Sequence, residues 1–276
     1  MKIALCNEVL GDMEFAAQCE LAAALGYEGL EVAPFTLNEN PHLLGANDRA
    51  RIRRSATEAG IEITGLHWLL VTPKGLSINS KEPSIRERTI DVLRRLIELC
   101  ADLGGKVLVH GSPAQRQVAA DDDPAEAWLR ARDTFTAVAD NAMKAGITYC
   151  IEPLARRETN FINTVAEAVK MVEAIDRPAF RTMIDTCSAG VTEVVPLDEL
   201  IDRWLPTGNI AHIQVNDTNR RGPGQGSNQF APIFAALKRN GYYRVVAVEP
   251  FDYFPDSRTA AAQSIGYIRG VLEALK

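Results

Sequence analysis

The feature that most constrains this chain is a regular alternation of short apolar runs with longer segments whose apolar residues recur at helical spacing. Eight such pairs follow one another, with no linker-like or low-complexity segment between them. Apolar strands that alternate with helices predict a parallel sheet covered by helices. Eight units within 276 residues fit a closed barrel better than an open doubly wound sheet. We therefore predict an α/β fold, with residues 1–276 forming a single (β/α)8 TIM-barrel domain.

Short apolar runs that stop at glycine, proline or polar residues mark the predicted strands. These strands are expected at residues 2–6, 29–32, 61–68, 106–109, 149–152, 180–184, 210–215 and 244–248. The segments between them carry helix signals. Gly26 is placed to end the first helix, and two pairs, Ser84 with Glu87 and Thr164 with Glu167, have the spacing of capping boxes. Each of these pairs predicts the beginning of a helix.

Two of the predicted strands end at a glutamate that is followed directly by proline. These are Glu152-Pro153 after the fifth strand and Glu249-Pro250 after the eighth. Proline donates no ladder hydrogen bond and pushes the preceding residue toward extended geometry, so each glutamate should stand at the tip of its strand. Asp185 closes the sixth strand. Because the carboxyl ends of the strands surround the active site of such a barrel, these three carboxylates should converge there.

Three converging carboxylates require a cation, because like charges raise each other's pKa and cannot all ionise together. A divalent metal ion resolves this repulsion. An oxygen-rich ligand set suits Mn²⁺ first, with Mg²⁺ or Co²⁺ as alternatives. An imidazole or amide from the seventh strand, His212 or Gln214, would complete the set. These two residues are two positions apart and face the same way, so one of them would lie a layer below the other.

Other polar residues at strand ends have more than one interpretation. Glu31 either enters the site or braces a neighbouring strand, and His67 and His110 either contact a substrate or are satisfied by the backbone. Three basic residues are able to meet a substrate phosphate but are more simply interpreted as solvated surface residues: Lys74, Arg116 and Arg221.

Charge and cysteine content exclude several classes of protein. The formal net charge is −6 and the sequence has no long basic run, so neither nucleic acid nor an anionic membrane is an expected partner. The 5 cysteines have no Cys-x-x-Cys spacing, which indicates buried thiols in a reducing cytoplasm. No signal peptide, membrane span, dinucleotide-binding glycine motif or phosphate loop is recognisable. We therefore expect a cytoplasmic protein whose partner is a small molecule.

At these residues the sequence resembles the xylose isomerase-like TIM-barrel superfamily, and within it the D-tagatose/D-psicose 3-epimerases and hydroxypyruvate isomerases. The resemblance covers essentially the whole chain and implies four metal ligands: Glu152, Asp185, Gln214 and Glu249. Gln214 takes this place because the family ligand is the second polar residue of a His-x-His or His-x-Gln pair. Glu158 matches a substrate-binding glutamate, and Arg220 lies in a matching Asn-Arg-x-x-Pro-Gly-x-Gly loop. Ser188 departs from the pattern, since the family often has a substrate-binding histidine there.

The resemblance implies a divalent-metal-dependent sugar isomerase or epimerase that moves a proton next to a ketose carbonyl through an enediolate held by the metal. Glu152 and Glu249 would be the acid and base, and a homodimer or homotetramer is the implied assembly. The predicted substrate contacts are Glu158, Arg220, His67, His110 and Ser188. Three alternatives stay open: a metal-dependent dehydratase of a keto-inositol or dehydroshikimate-like substrate, a sugar-binding module without catalysis, and a nuclease.

Overall fold

Eight parallel strands close into one barrel in chain order, from β1 to β8 and back to β1. The computed structural model describes all residues from 1 to 276. The strands are Lys2–Cys6 (β1), Gly29–Val32 (β2), Glu62–Leu66 (β3), Val107–His110 (β4), Thr148–Ile151 (β5), Phe180–Asp185 (β6), Ile210–Val215 (β7) and Val245–Val248 (β8). The prediction of a single (β/α)8 barrel is confirmed.

Helices cover the outside of this barrel, as the helical spacing of the apolar residues predicts. They are Phe15–Leu25 (α1), Ala46–Glu58 (α2), Pro83–Leu103 (α3), Pro124–Ala145 (α4), Val165–Ile175 (α5), Thr186–Thr192 (α6), Leu197–Trp204 (α7), Phe230–Arg239 (α8) and Ser257–Ala274 (α9). The short helix α6 was not predicted; it follows β6 directly, and Asp185 is its N-cap. None of the helices has both the length and the apolar character that a membrane crossing requires.

The predicted helix ends are correct at two positions and wrong at one. Gly26 ends α1 with a φ of 92°, a conformation that glycine adopts without strain. Thr164 and Glu167 form the predicted capping box at the start of α5. The box predicted at Ser84 is wrong, because α3 already begins at Pro83 and has no side-chain cap. Proline fits the first helical position since no hydrogen bond from its nitrogen is needed there, and Ser84 therefore falls inside the first turn.

The barrel interior differs from the layer between strands and helices. A cluster of 64 buried apolar residues fills the layer between strands and helices. Two small clusters separate from it consist of strand residues alone: Val107, Val109, Cys150, Met183 and Ala211, and Ala4, Cys6 and Ala247. Buried polar side chains, among them Glu31, His212 and Gln214, occupy the interior toward the carboxyl ends of the strands. All five cysteines are buried and unpaired, as the sequence predicted.

Candidate active site at the carboxyl ends of the strands

Three carboxylates meet at the carboxyl ends of the strands. Glu152 follows β5, Asp185 closes β6 and Glu249 follows β8; each offers one oxygen, and these oxygens lie within 4.8 Å of one another. Burial first, and then the neighbouring carboxylates, raise the pKa of Glu152 and of Glu249 well above its ordinary value. Burial also raises the pKa of Asp185 to about 7. The group is therefore unable to ionise fully at neutral pH unless a cation joins it.

Asp185 is oriented by the helix that follows it. Its Oδ1 accepts a hydrogen bond of 2.6 Å from the backbone N–H of Ser188 in the first turn of α6. Its Oδ2 is buried and has no hydrogen-bond partner in the protein. A buried carboxylate oxygen without a donor calls for a ligand, and a divalent cation is the partner that three adjacent carboxylates favour.

Gln214 shows the same pattern from β7. It lies next to Asp185 in the strand register, and its Nε2 donates a hydrogen bond of 2.8 Å to Oε1 of Glu31. Its Oε1 is buried without a partner. His212, two residues earlier on the same strand, places Nε2 2.7 Å from the other oxygen of Glu31. The unpaired oxygens of Asp185 and Gln214, together with the two glutamates, form an oxygen-rich donor set that fits Mn²⁺ or Mg²⁺.

Glu152 has two neighbours in the loop after β4. Its Oε2 occupies the space that a Cβ atom would need at Gly111, so only glycine leaves room for the carboxylate there. Its backbone carbonyl accepts a hydrogen bond of 2.6 Å from Nη1 of Arg116. Arg116 is 0 % exposed, so its interpretation as a solvated surface residue is wrong. Burial lowers the pKa of Arg116 to about 10, against the opposing effect of Glu152 and Glu158.

An open pocket with about 620 Å³ of empty space lies over the three carboxylates. Three of the predicted substrate contacts, Glu158, Ser188 and Arg220, line it together with Glu152, Asp185 and Glu249. Ser188 places Oγ 3.5 Å from Oε2 of Glu158, so these two polar groups face the pocket side by side.

Arg220 is held by a compact loop after β7. Asp217 accepts hydrogen bonds from the backbone N–H groups of Gly226 and Asn228 at 2.8 Å each, and this closes the loop. Arg220 adopts a positive φ of 69°, and its guanidinium lies 5.0 Å from the ring centre of Phe251. Residues other than glycine rarely adopt this backbone conformation, and those that do are concentrated at active sites and binding sites.

An aromatic wall that the sequence did not predict continues from this arginine. Trp68 packs edge-on between Phe35 and Phe251, with ring centres 5.3 Å and 5.7 Å apart. Trp68 also has a positive φ, of 51°, and lines the pocket with Phe251. The only available signal was position, since Trp68 follows β3 and Phe251 follows the Glu-Pro pair after β8.

The two predicted histidine contacts do not line the pocket. His67 lies inside the barrel, with Nε2 2.8 Å from Oε2 of Glu8 and 3.6 Å from Oε1 of Glu249. His110 packs edge-on against Phe135 in α4, with ring centres 5.2 Å apart, and its Nδ1 lies 2.7 Å from the hydroxyl of Tyr149. Burial, reinforced by Arg116, lowers the pKa of His110 to about 3. Neither histidine is therefore among the residues that line the pocket, although His67 approaches Glu249, which is one of them.

A second group with potential metal ligands lies beside the first and shares Glu249. Ligand atoms of Cys6, Glu8, His67 and Glu249 also lie within 4.8 Å of one another. His67 and Glu8 already contact each other, however, and burial raises the pKa of the Cys6 thiol well above its ordinary value. A protonated thiol is a poor metal ligand, so the chemistry favours the oxygen-rich group.

A comparison of the sequence with models of known protein families identifies the family of this chain. Residues 19–271 match the family model described as xylose isomerase-like TIM barrel. The chain belongs to that family. The resemblance inferred from the strand-end residues is therefore confirmed.

Curated relatives in this family are named as epimerases. The chain is 25% identical over 258 residues to a probable ketose 3-epimerase of Synechocystis, covering 90% of this chain and 81% of that protein. It is 28% identical over 246 residues to D-psicose 3-epimerase of Agrobacterium fabrum, covering 86% and 80%. Ketose 3-epimerases are isomerase-class enzymes, which confirms the predicted relation to isomerases.

Solved structures of similar proteins support the fold. A D-psicose 3-epimerase crystallised in the presence of D-fructose superposes with a TM-score of 0.83 at 23% identity, covering 99% of both chains. The D-psicose 3-epimerase of Clostridium cellulolyticum H10 with D-tagatose gives a TM-score of 0.84 at 22% identity, again covering 99% of both.

Proposed function

We propose that this protein is a divalent-metal-dependent ketose 3-epimerase. The observation that carries the proposal is the meeting of Glu152, Asp185 and Glu249 beneath a pocket that Glu158 and Arg220 line. The curated relatives act in the same class of reaction, as their names state. Their names favour an epimerase over the dehydratase alternative.

The cation would be held by Glu152, Asp185, Gln214 and Glu249. Mn²⁺ is our first choice, with Mg²⁺ or Co²⁺ as alternatives, because the four donors are oxygens. When bound, the cation neutralises the clustered carboxylates and stabilises negative charge that develops on the substrate's carbonyl oxygen. Two of these donor atoms, Oδ2 of Asp185 and Oε1 of Gln214, lack any partner within the protein.

Glu152 and Glu249 are the proposed proton-transfer pair. They come from β5 and from β8, so they approach a bound ketose from different sides. One glutamate removes the proton from the carbon next to the carbonyl, which leaves an enediolate, and the other returns a proton to the opposite face. This inverts the carbon and gives the 3-epimer. Return of the proton to the neighbouring carbon would instead give aldose–ketose isomerisation.

The charges around the pocket favour a neutral sugar over a sugar phosphate. Four carboxylates line it, from Glu152, Glu158, Asp185 and Glu249, but Arg220 is the only basic residue among the lining residues. A divalent cation would still leave this wall with a net negative charge, so a phosphate dianion would be repelled. We propose that Glu158, Ser188 and Arg220 bind the hydroxyl groups of an unphosphorylated ketose, while Trp68 and Phe251 contact its carbon face.

Hydrogen exchange tests the proposal directly. Proton–deuteron exchange in D₂O is followed by NMR over a panel of ketoses, with Mn²⁺ and with chelator. The wild type should exchange one carbon-bound hydrogen only with Mn²⁺, and Glu152→Gln and Glu249→Gln should each reduce the rate about 100- to 10,000-fold. Glu62→Gln is the matched control, because Glu62 lies at the opposite end of the barrel in an exposed ion pair with Lys2. Full exchange in either active-site variant would remove that glutamate from proton transfer.

Assembly and location are proposed with the activity. Five unpaired, buried cysteines suit the cytoplasm, where we place the enzyme. We propose the homodimer or homotetramer that the family resemblance implies. Size-exclusion chromatography with light scattering tests it, and a monomer at micromolar concentration would overturn it.

A further inference from the structure

Glu31 is a carboxylate that the proposed reaction does not use, although it lies inside the barrel beside the metal ligands. It is fully buried on β2. Its Oε1 accepts the hydrogen bond from Nε2 of Gln214 at 2.8 Å, and its Oε2 lies 2.7 Å from Nε2 of His212. Both oxygens of Glu31 therefore face side chains of β7 across the barrel interior, and Oε1 is the one that accepts a hydrogen bond.

These contacts decide which end of the Gln214 side chain is free. A carboxamide has one oxygen, which is able to bind a cation, and one NH₂ group, which is not. Rotation of the amide by half a turn exchanges the two with almost no change in shape. The NH₂ group is the end that faces Glu31, because its Nε2 donates the hydrogen bond to Oε1 of Glu31. The amide oxygen is then left over, and in the structure it is buried without a partner.

Two histidine side chains lie beside Glu31. Nε2 of His212 lies 2.7 Å from Oε2 of Glu31. The nearer nitrogen of His67, Nδ1, lies 4.0 Å from Oε1 of Glu31. Oε2 of Glu31 thus faces His212, and Oε1 is the oxygen that accepts the hydrogen bond from Gln214.

We propose that Glu31 is a positioning residue that orients the amide of Gln214 so that its oxygen, and not its nitrogen, is presented to the metal. This inference rests on the proposed function, since it presumes that Gln214 is a metal ligand. An outer partner of this kind typically changes metal affinity about 10- to 100-fold when it is removed.

A charge swap separates this role from simple structural support. Glu31→Gln keeps the shape but allows either end of Gln214 to pair with residue 31, so Mn²⁺ should bind about 10- to 100-fold more weakly. Gln214→Glu alone places two buried carboxylates against each other and should also impair binding. In the Glu31→Gln/Gln214→Glu double variant, the new amide donates to the new carboxylate and a carboxylate oxygen is again free.

The measurement is the Mn²⁺ dissociation constant without substrate, obtained by titration with electron paramagnetic resonance of free Mn²⁺. We expect the double variant to bind Mn²⁺ more tightly than either single variant. A double variant no better than Glu31→Gln would mean that Glu31 only supports the barrel, and an unchanged constant in Glu31→Gln would also overturn the inference while leaving the proposed function intact. A wild type that binds no divalent cation would overturn both.

A second measurement uses the wild-type protein and does not depend on whether a variant of Glu31 folds. The side-chain amide of Gln214 is followed in ¹H–¹⁵N spectra of the wild type during titration with Mg²⁺, with Gln214→Met used to assign the signal. The amide protons should stay protected from exchange with solvent as the metal binds, because their hydrogen bond to Glu31 is retained. Loss of that protection on metal binding would show that the amide turns, and it would overturn the inference.

Discussion

The two halves of the barrel contribute differently to the site. The second half, β5 to β8, supplies the proposed ligands Glu152, Asp185, Gln214 and Glu249. The first half supplies none of them, yet its polar side chains contact them: Glu31 contacts Gln214, His67 contacts Glu249, and Arg116, after β4, contacts the carbonyl of Glu152. The proposed ligands and the residues that contact them are therefore separated along the chain but meet in the barrel interior.

The position of a residue at a strand end therefore does not by itself define its role. Glu31 on β2 and Asp185 on β6 are both buried carboxylates at the same end of the barrel. Oε1 of Glu31 accepts a hydrogen bond from Gln214 and its Oε2 lies 2.7 Å from a ring nitrogen of His212, whereas Oδ2 of Asp185 has no hydrogen-bond partner. Glu31 therefore faces side chains of β7 with both oxygens, whereas Asp185 has an oxygen that is free to bind a cation.

The largest effect is expected where the second half loses a ligand. Asp185→Asn still lets residue 185 accept the hydrogen bond from the N–H of Ser188, so α6 should keep its cap. The ligand charge is lost, and Mn²⁺ affinity should fall by about 100-fold or more, since even partners of ligands are worth about 10- to 100-fold. Isothermal titration with Mn²⁺ measures this. Wild-type affinity in the variant would contradict the assignment of Asp185.

A larger side chain at Gly111, in the first half of the barrel, should displace Glu152, in the second half, without removing any proposed ligand. In Gly111→Ala, the new Cβ would overlap Oε2 of Glu152, and the carboxylate would have to move. A displacement of about 1 Å at a catalytic group typically costs about 100-fold, so kcat/KM should fall by that order. Gly266→Ala is the control, because a Cβ there meets no neighbouring atom. Equal kinetics in the two variants would show that Glu152 tolerates the shift.

The clustered carboxylates of the second half should make the stability of the metal-free protein depend on pH. The pKa of Asp185 rises from 3.8 to about 7 on folding, and those of Glu152 and Glu249 rise well above 4.5. These three groups then bind more protons in the folded state than in the unfolded state, so the stability that they contribute is full below about pH 4 and is lost as the pH rises through about 7. Thermal unfolding with chelator should show this decline, and Mn²⁺ should reverse it. A melting temperature that rises over this range without metal would contradict the arrangement.

The smallest effect on activity is expected at a first-half residue whose side chain contacts none of the proposed ligands. His110→Phe keeps an aromatic ring against Phe135 but removes the partner of the Tyr149 hydroxyl, at a cost of about 1–3 kcal/mol of stability. Chemical denaturation measures the loss. Because His110 does not line the pocket, kcat/KM should stay at the wild-type value, and a large fall in kcat would return His110 to the substrate contacts.

The sequence predicted the barrel and the three carboxylates because both follow from local patterns. Alternating strand and helix periods specify the fold, and a proline after a glutamate marks where a strand stops. The helix α6 was not predicted from the sequence, because Thr186–Thr192 contains Gly190 and is too short to show a helical period. The burial of Arg116 was not predicted, because an arginine in a polar loop is usually solvated. Only the folded loop shows that Arg116 is buried and donates a hydrogen bond to the carbonyl of Glu152.

The division between binding and orienting residues is tested most directly by a crystal structure of the wild type with Mn²⁺, located by its anomalous scattering. We expect one metal ion bound by Glu152, Asp185, Glu249 and the oxygen of Gln214, with the nitrogen of Gln214 still donating to Glu31. A metal ion bound instead by Cys6, Glu8 and His67 would assign binding to the first half of the barrel and contradict the account.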